Sequence, residues 1–485
     1  MMRTTRALLR EIHPAFDVVV RPVPPAHLDV VYIGTIVDHN RVEERLLRPL
    51  LLQGRRDHGR ETHLWLQNTL ELGQIQIEKD AVAAMCALLD SKAVLCLERD
   101  YVVVDVTAID RRLPQEPEAE VSVRGPRDGF TESIETNMSL VRSRLRDPDL
   151  AMREFILGTR TRTKTVLLYL EGVADGEIVD EVARRIQRIH VDGVLDSGLV
   201  EQWIEDMPWS PYPQVQATER PDKAVSGLLE GRVVVLVDGT PFVLLAPAVM
   251  ITFFHTADDH DHRWLSGSAL RLIRLFALVV SIFGPSMYVA FTMYNPELIP
   301  LNLLLQLAAS REGIPFPIVF EAAFMELMVE LVREAANRMP QQVGQSFTIV
   351  GGVVLGDIAV TAGIVSPIMV IVVGVTALGA FAIPNYEAAF ITRMIRFPML
   401  LVTAIFGVVG TLWFALMVAA HLCTLKSFGV PYLTPFAQGI SREWRDTFVR
   451  LPLIGKVTVP ATYQSPLGGV AVGWRSRRGR KRRPL

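Results

Sequence analysis

The chain has 485 residues, half of them hydrophobic, and 50 Lys and Arg against 52 Asp and Glu leave a net charge of −2. That length has room for two or three domains, and the near-zero charge averages opposite regions and so says nothing about nucleic acid, although no nucleic-acid partner is expected. Cys86, Cys96 and Cys423 have neither metal-site nor disulfide-framework spacing and read as buried thiols in a reducing compartment.

The start, MMRTTRALLREIHP, is charged and lacks the apolar core of a signal peptide. Residues 1–15 form a short lead, and the soluble part that follows is expected to stay in the cytoplasm. That part contains a duplication. Asp29 to Leu46 and Val166 to Ala183 each carry an apolar run ending in Tyr (Tyr32, Tyr169), an Asp six residues later (Asp38, Asp175) and a helical period. The stretches from Leu88 and from Leu228 each read as a helix end, a strand, a short turn and a second strand, with Asp238-Gly239-Thr240 a hairpin turn. The two offsets, 137 and 140 residues, agree closely. They predict two related α/β subdomains, 16–113 and 121–266, joined by a Pro/Glu-rich linker at 114–120.

From Gly267 the composition changes to long apolar runs that end near Leu425 (267–425), and these predict an α-helical transmembrane domain of about four to six segments. Leu272 to Tyr294, with Arg271 and Arg274 at its start, is the clearest span. Met339 to Tyr386 holds one charge, Asp357, in 48 residues, and Phe397 to Leu425 holds none. Four segments would return the chain to its starting side. Arg393 and Arg396 would then lie outside, unless a re-entrant or inserted Glu-rich helix changes the count. The tail, 426–485, is basic: from Gln438 onward there are 11 Lys/Arg against 2 Asp/Glu. Such a tail suits the cytoplasmic side and contact with membrane lipid headgroups.

Glu326, Glu330 and Glu334 recur every four residues and so share one helix face. Two readings stand: a ring of carboxylates drawing cations to a conduit, or an interfacial helix whose polar stripe is solvated and paired to Arg333. Asp357 stands among Gly351, Gly352, Gly356 and Gly363. It either touches an ion path or hydrogen-bonds a neighbouring helix, while the glycines are read as close helix packing. The segment His255 to Trp264 has the residue types of a zinc site, but a polar collar is expected at this place anyway; no metal is assigned. No GxSxG, phosphate-loop or HExxH pattern occurs. No enzyme activity, catalytic residue or cofactor is expected.

The block VRGPRDGFTESIETNMSLVRSRLRDPDL (Val123 to Leu150) resembles the A-subunit family of spore germinant receptors, the GerA family. The resemblance continues through REFILGTRTRTKTVLLYLEGVAD, TERPDKAVSGLLEGRVVVLVDGTPFVLLAP, VELVREAANRMPQQVGQSFTIVGGVVLGDIAVTAGIVSP and AIPNY, spanning roughly Val123 to Phe436. It implies an integral protein of the inner spore membrane, working with a permease-like B subunit and a lipoprotein C subunit. It also implies a homo-oligomer that conducts monovalent cations when nutrients arrive, with its N-terminal domain and tail on the core side. On the family motifs stand Arg124, Pro126, Arg127, Asp128, Gly129, Phe130 and Asn137, then Thr218, Glu219, Arg220, Pro221, Asp222 and Lys223, then Asp238, Gly239 and Pro241. These are expected to serve folding and subunit contact, with Glu326, Glu330, Arg333, Glu334 and Asp357 as pore-side candidates. A non-conducting transducer, or the dipicolinate-channel-associated paralogue of the same family, is the alternative expectation.

Overall fold

The computed structural model describes residues 2–13, 15–52, 65–66, 69–70, 75–106, 116–117, 120, 124–256, 258–339, 356–436 and 447–449. Gly351, Gly352, most of the 114–120 linker and most of the 426–485 tail lie outside these residues.

Two five-stranded antiparallel sheets are built by the same chain path. The first uses α1 (Arg3–Glu11), β1 (Val18–Val23), β2 (Leu28–Ile33), α2 (Arg48–Leu52), β3 (Ile75–Glu78), α3 (Ala81–Leu89), β4 (Lys92–Cys96) and β5 (Tyr101–Asp105), with strand order β1-β2-β4-β5-β3. The second begins with α4 (Ile134–Arg144), β6 (Leu150–Leu157), β7 (Thr163–Leu170), α5 (Gly176–Gln187) and α6 (Ser197–Ile204). It continues with β8 (Gln216–Thr218), α7 (Pro221–Glu230), β9 (Val233–Val237) and β10 (Val243–Ala246), in the order β6-β7-β9-β10-β8. The strands correspond one to one. The repeated aspartates also do the same work. Asp38 Oδ1 accepts from the Asn40 and Arg41 amides, and Asp175 Oδ1 accepts from the Glu177 amide, so each ties down the first turn of the helical segment after the second strand.

Near-continuous apolar strands follow from burial on both faces. Val166, Leu168 and Leu170 pack with Met138 and Val141 of α4 and Leu228 of α7, while Leu167 and Tyr169 pack with Val182 and Ile186 of α5 and Val200 of α6. This is the period-2 alternation of a strand serving two helix layers. The first sheet is likewise covered on both sides. Between the two units, Arg142 of α4 donates to both carboxylate oxygens of Asp17, at 3.0 and 3.3 Å, with both side chains 1 % exposed. Its other donors reach the carbonyls of Asp147 and Leu150.

After the short helix α8 (Asp258–Asp261) the helical region comprises α9 (Trp264–Met293), α10 (Leu301–Ser310), α11 (Ile318–Arg338), a short stretch at 356–361, α12 (Pro367–Phe381) and α13 (Tyr386–Thr424). Of these, α9 and α13 are long and apolar enough to cross a membrane. The 39-residue α13 is not straight: at about 1.5 Å per residue Ala388 and Leu422 would stand roughly 51 Å apart. Instead they share one apolar cluster with Phe253 and Tyr432, and the Thr403 and Thr411 hydroxyls meet at 2.7 Å. The chain reverses at Gly407 (φ 62°, ψ −145°), a conformation open essentially to glycine alone. The uncharged run Phe397 to Leu425, read from sequence as one segment, is therefore the tip and return arm of a helical hairpin. Both hairpin ends meet the sheet domain, where His421 Nε2 lies 3.0 Å from Ser210 Oγ. Leu401, Ile405, Phe406, Val409, Leu412, Trp413 and Leu416 cover its outside and are exposed, as on a lipid-facing surface.

Among the described residues close helix packing is seen at two further glycines. A Cβ on Gly379 of α12 would come within 2.8 Å of the Ala277 carbonyl of α9, and one on Gly284 within 2.7 Å of Thr376 Oγ1. Gly356 is buried with Val370 Cγ1 at ordinary contact distance, whereas Gly363 occupies a turn at φ +65° rather than a helix. The thiols also differ from expectation. Cys96 is buried in β4, but Cys86 and Cys423 are exposed, because each points away from the core its helix packs against.

Candidate functional site: a buried charge cluster in the helical region

The acidic stripe of α11 is brought against α13 rather than left to solvent. Glu326 is 2 % exposed and its Oε1 accepts from Arg396 Nη1 at 3.0 Å. One turn on, Glu330 Oε1 accepts from Arg333 Nη1 at 3.1 Å and is also 3.4 Å from Arg393 Nε and 3.8 Å from Arg396 Nη2. One oxygen is thus shared by three guanidinium groups. Phe381 stacks under Arg333 at 4.6 Å and Phe390 under Arg393 at 5.5 Å. Glu334 has left the buried face and pairs with Arg338 at the surface. The stripe thus grades from interior to solvent as the helix leaves the bundle.

Arg393 and Arg396, which looked misplaced in the sequence, are the partners of the glutamates. A pointer was present: two arginines three apart in one apolar helix match two glutamates four apart in another. A second buried acid, Glu321, closes the opposite part of α11. It contacts Arg311 Nη2 at 2.9 Å and accepts from the Ser366 amide at 2.9 Å, at the start of α12. Asp357, by contrast, is exposed, with neither hydrogen bond nor ion pair among the described residues.

The junction between the sheet domain and the helices is also charged. Asp259 is fully buried and is bound by Arg274 and Arg271 at the start of α9, which uses up one acid of the histidine-rich segment. Burial pushes its carboxyl up, but the Arg274 hydrogen bond and charge outweigh this and hold it below the usual range. His255 Nε2 is 3.1 Å from the Thr447 carbonyl. On α6, Glu201 is pushed up to about 9, first by burial and then by the charges of Glu387, Glu205 and Asp196. Glu205 is raised too, mainly by burial.

The motif residues of the second unit knit it together. Asn137, wholly buried, accepts from the Thr131 amide at 2.8 Å and donates to its carbonyl at 2.6 Å. Asp128 pairs with Arg144 next to buried Gly129, and the Phe130 amide donates to the Glu219 carbonyl at 2.8 Å. Arg220 grips Asp222 at 3.0 and 2.7 Å beside Pro221, the first residue of α7, and Lys223 reaches Glu120 at 2.6 Å. Asp238 accepts from the Ile134 amide at 3.2 Å, and the Gly239 amide donates to the Glu132 carbonyl in a turn at φ +87°. Arg124, Pro126 and Arg127 are exposed.

A duplicated pair of antiparallel sheets, bound to a helical region that is charged inside and has two helices long and apolar enough to cross a membrane, defines a two-part protein. The chain belongs to the GerA spore germination family: the profile described as Bacillus/Clostridium GerA spore germination protein matches residues 6–462. Spore germination protein KA of Bacillus subtilis (strain 168) is 38 % identical over 450 residues, 91 % of this chain and 83 % of that protein. The uncharacterized membrane protein YfkQ of the same organism is 39 % identical over 436 residues, covering 90 % of this chain and 85 % of the relative. Spore germination protein GerLA of Bacillus cereus is 35 % identical over 425 residues, 87 % of this chain and 86 % of that one. The crystal structure of the N-terminal domain of the A subunit of the Bacillus megaterium spore germinant receptor GerK3 matches 51 % of this chain and 94 % of that one. The identity is 28 % and the TM-score 0.39.

Proposed function

We propose that the chain is an A-type subunit of a spore germinant receptor, an oligomeric membrane protein that forms a nutrient-gated channel for monovalent cations. It would sit in the inner spore membrane with sheet domain and tail on the core side. Its partners would be a permease-like B subunit, a lipoprotein C subunit and further copies of itself. The observation that carries this reading is the shared oxygen of Glu330. A carboxylate oxygen that hydrogen-bonds Arg333 at 3.1 Å, with Arg393 and Arg396 at 3.4 and 3.8 Å, can exchange partners as helices shift, which would give the charges inside the bundle more than one arrangement. In the described arrangement Glu326 and Glu330 are closed off by arginines. Opening would turn them, with Glu334 and Asp357, towards an aqueous passage that draws cations. The exposed edge Arg124, Pro126 and Arg127 is assigned to subunit contact, and the sheet domains would pass the nutrient signal to the hairpin through the Ser210–His421 junction.

Potassium flux from liposomes holding the purified protein tests conduction, and spores carrying Glu330→Gln with Glu334→Gln test the side chains. Reduced efflux with normal assembly is expected; unchanged efflux removes these carboxylates from the path. The second reading is a non-conducting transducer, favoured by the ion pairing that leaves Glu326 no charge to offer. No flux under any condition would establish it.

A further inference from the structure

The cluster between α11 and α13 does not balance. Glu326 and Glu330 contribute two negative charges, and Arg333, Arg393 and Arg396 contribute three positive ones. The neighbouring acids are committed elsewhere, Glu321 to Arg311 and Glu334 to Arg338. The segment from Met339 to Gly356 carries no acid at all. The arginine side chains are 11 %, 7 % and 3 % exposed, so the surplus charge is shielded by little water. Among the described residues several of their donors also lack a hydrogen bond: Nε and Nη2 of Arg333, Nε of Arg393, and Nε and Nη2 of Arg396, while Oε2 of Glu326 is the one carboxylate oxygen of the cluster in the same position. Phenylalanine rings cover the faces of Arg333 and Arg393, so it is the donor edges that stay available. By contrast, Arg142 at the joint between the sheets has a carboxylate of its own and two carbonyls besides.

We propose that this cluster is an anion-binding site, taking one compact monoanion, a chloride or a carboxylate, on the edges of Arg333, Arg393 and Arg396. A buried, unneutralised guanidinium is costly, and an acceptor that supplies one negative charge removes both the charge excess and the orphaned donors. One surplus charge sets the ligand's charge, and edge-on donors suit a small acceptor. The site is a property of the cluster's geometry and does not depend on conduction. An occupied site locks the three arginines around the ion and so holds α11 to α13.

The test uses the purified full-length protein in detergent at constant ionic strength, with the bulky HEPES sulfonate anion replaced stepwise by chloride or, separately, by acetate. Tryptophan fluorescence reports the melting temperature. A saturable rise of roughly 2–4 °C is expected in at least one series, and the effective anion tells halide from carboxylate. The charge count demands opposite responses from two variants. Arg333→Gln brings the cluster to neutrality and should abolish the rise; Glu330→Gln makes the surplus larger and should lower the half-saturating concentration several-fold. Should Arg333→Gln fail to fold, Arg393→Gln changes the same count. A flat melting temperature overturns the proposal, as does a rise that tracks any salt alike, or variants that both weaken the response.

Discussion

The sheet domain and the helical region each bury arginines against carboxylates, and they do so under different accounting. In the sheet domain Arg142 and Asp17 form a one-to-one bidentate pair, with the remaining donor spent on backbone carbonyls. In the helices two carboxylates face three arginines, and a single oxygen of Glu330 lies 3.1, 3.4 and 3.8 Å from all three. The first arrangement has one low-energy solution and fixes how two folding units meet. The second has several and is suited to rearrangement. Fully satisfied polar networks rigidify, whereas partly satisfied ones keep alternatives within reach.

This contrast is sharpened most by breaking each pair from the arginine side. Arg142→Gln leaves Asp17 buried without its cation and should cost about 3–5 kcal/mol, read as a lowered denaturation midpoint. Arg393→Gln removes a charge that is in excess while Glu330 keeps Arg333, and should cost about 1–3 kcal/mol by the same measurement. Equal losses would erase the distinction between the two regions. The hairpin turn comes next. Gly407→Ala sets a Cβ 2.8 Å from Tyr294 Cγ at a backbone angle that suits only glycine, and about 3 kcal/mol or more should be lost. Gly374→Ala, whose Cβ meets nothing within 4 Å, serves as the silent control. Membrane-fraction abundance and thermal melting would report both.

The remaining test concerns the junction and depends on pH. Glu201 holds its proton up to about 9 in the folded protein, while an unfolded glutamate releases it in the ordinary carboxyl range. The folded state therefore binds more protons, so this contribution is intact at acid pH and is lost as pH climbs towards about 9. The slope reaches at most about 1.4 kcal/mol per pH unit. Glu201→Gln should flatten the fall in melting temperature between neutral and alkaline pH. An unaltered slope would mean that the carboxyl is already ionised beside Glu387.

Much of the sheet domain was legible because local chemistry decided it. The Tyr32/Tyr169 and Asp38/Asp175 correspondences reflect the end of a buried strand and the capping of the next helix, which sequence spacing alone can report. The Asp238-Gly239 turn carries its own signature in the same way. The helical region was legible in composition but not in path. In the run Phe397 to Leu425, Gly407 and Gly410 look alike, and only the ring of Tyr294, over a hundred residues away, makes one of them the corner. Pairing Glu326 with Arg396 likewise spans 70 residues. That distance is why Arg393 and Arg396 read as stray charges, and why the acidic stripe stayed open between a cation-drawing ring and a stripe paired to Arg333. Of the glycines expected to pack near Asp357, Gly351 and Gly352 lie outside the described residues; small residues permit close approach anywhere along apolar helices, and Gly284 and Gly379 are two places where helices meet closely.

The corner at Gly407 also bears on how the chain is delivered into lipid. The arm from Tyr386 to Phe406 carries Glu387, Arg393 and Arg396 and would enter hydrocarbon poorly by itself, while the arm that follows is uncharged down to His421. Folded back to back, the second arm can shepherd the first, so the two should partition as a unit during biosynthesis. Lengthening the corner by a few flexible residues would uncouple them and leave the charged arm stranded at the translocation machinery.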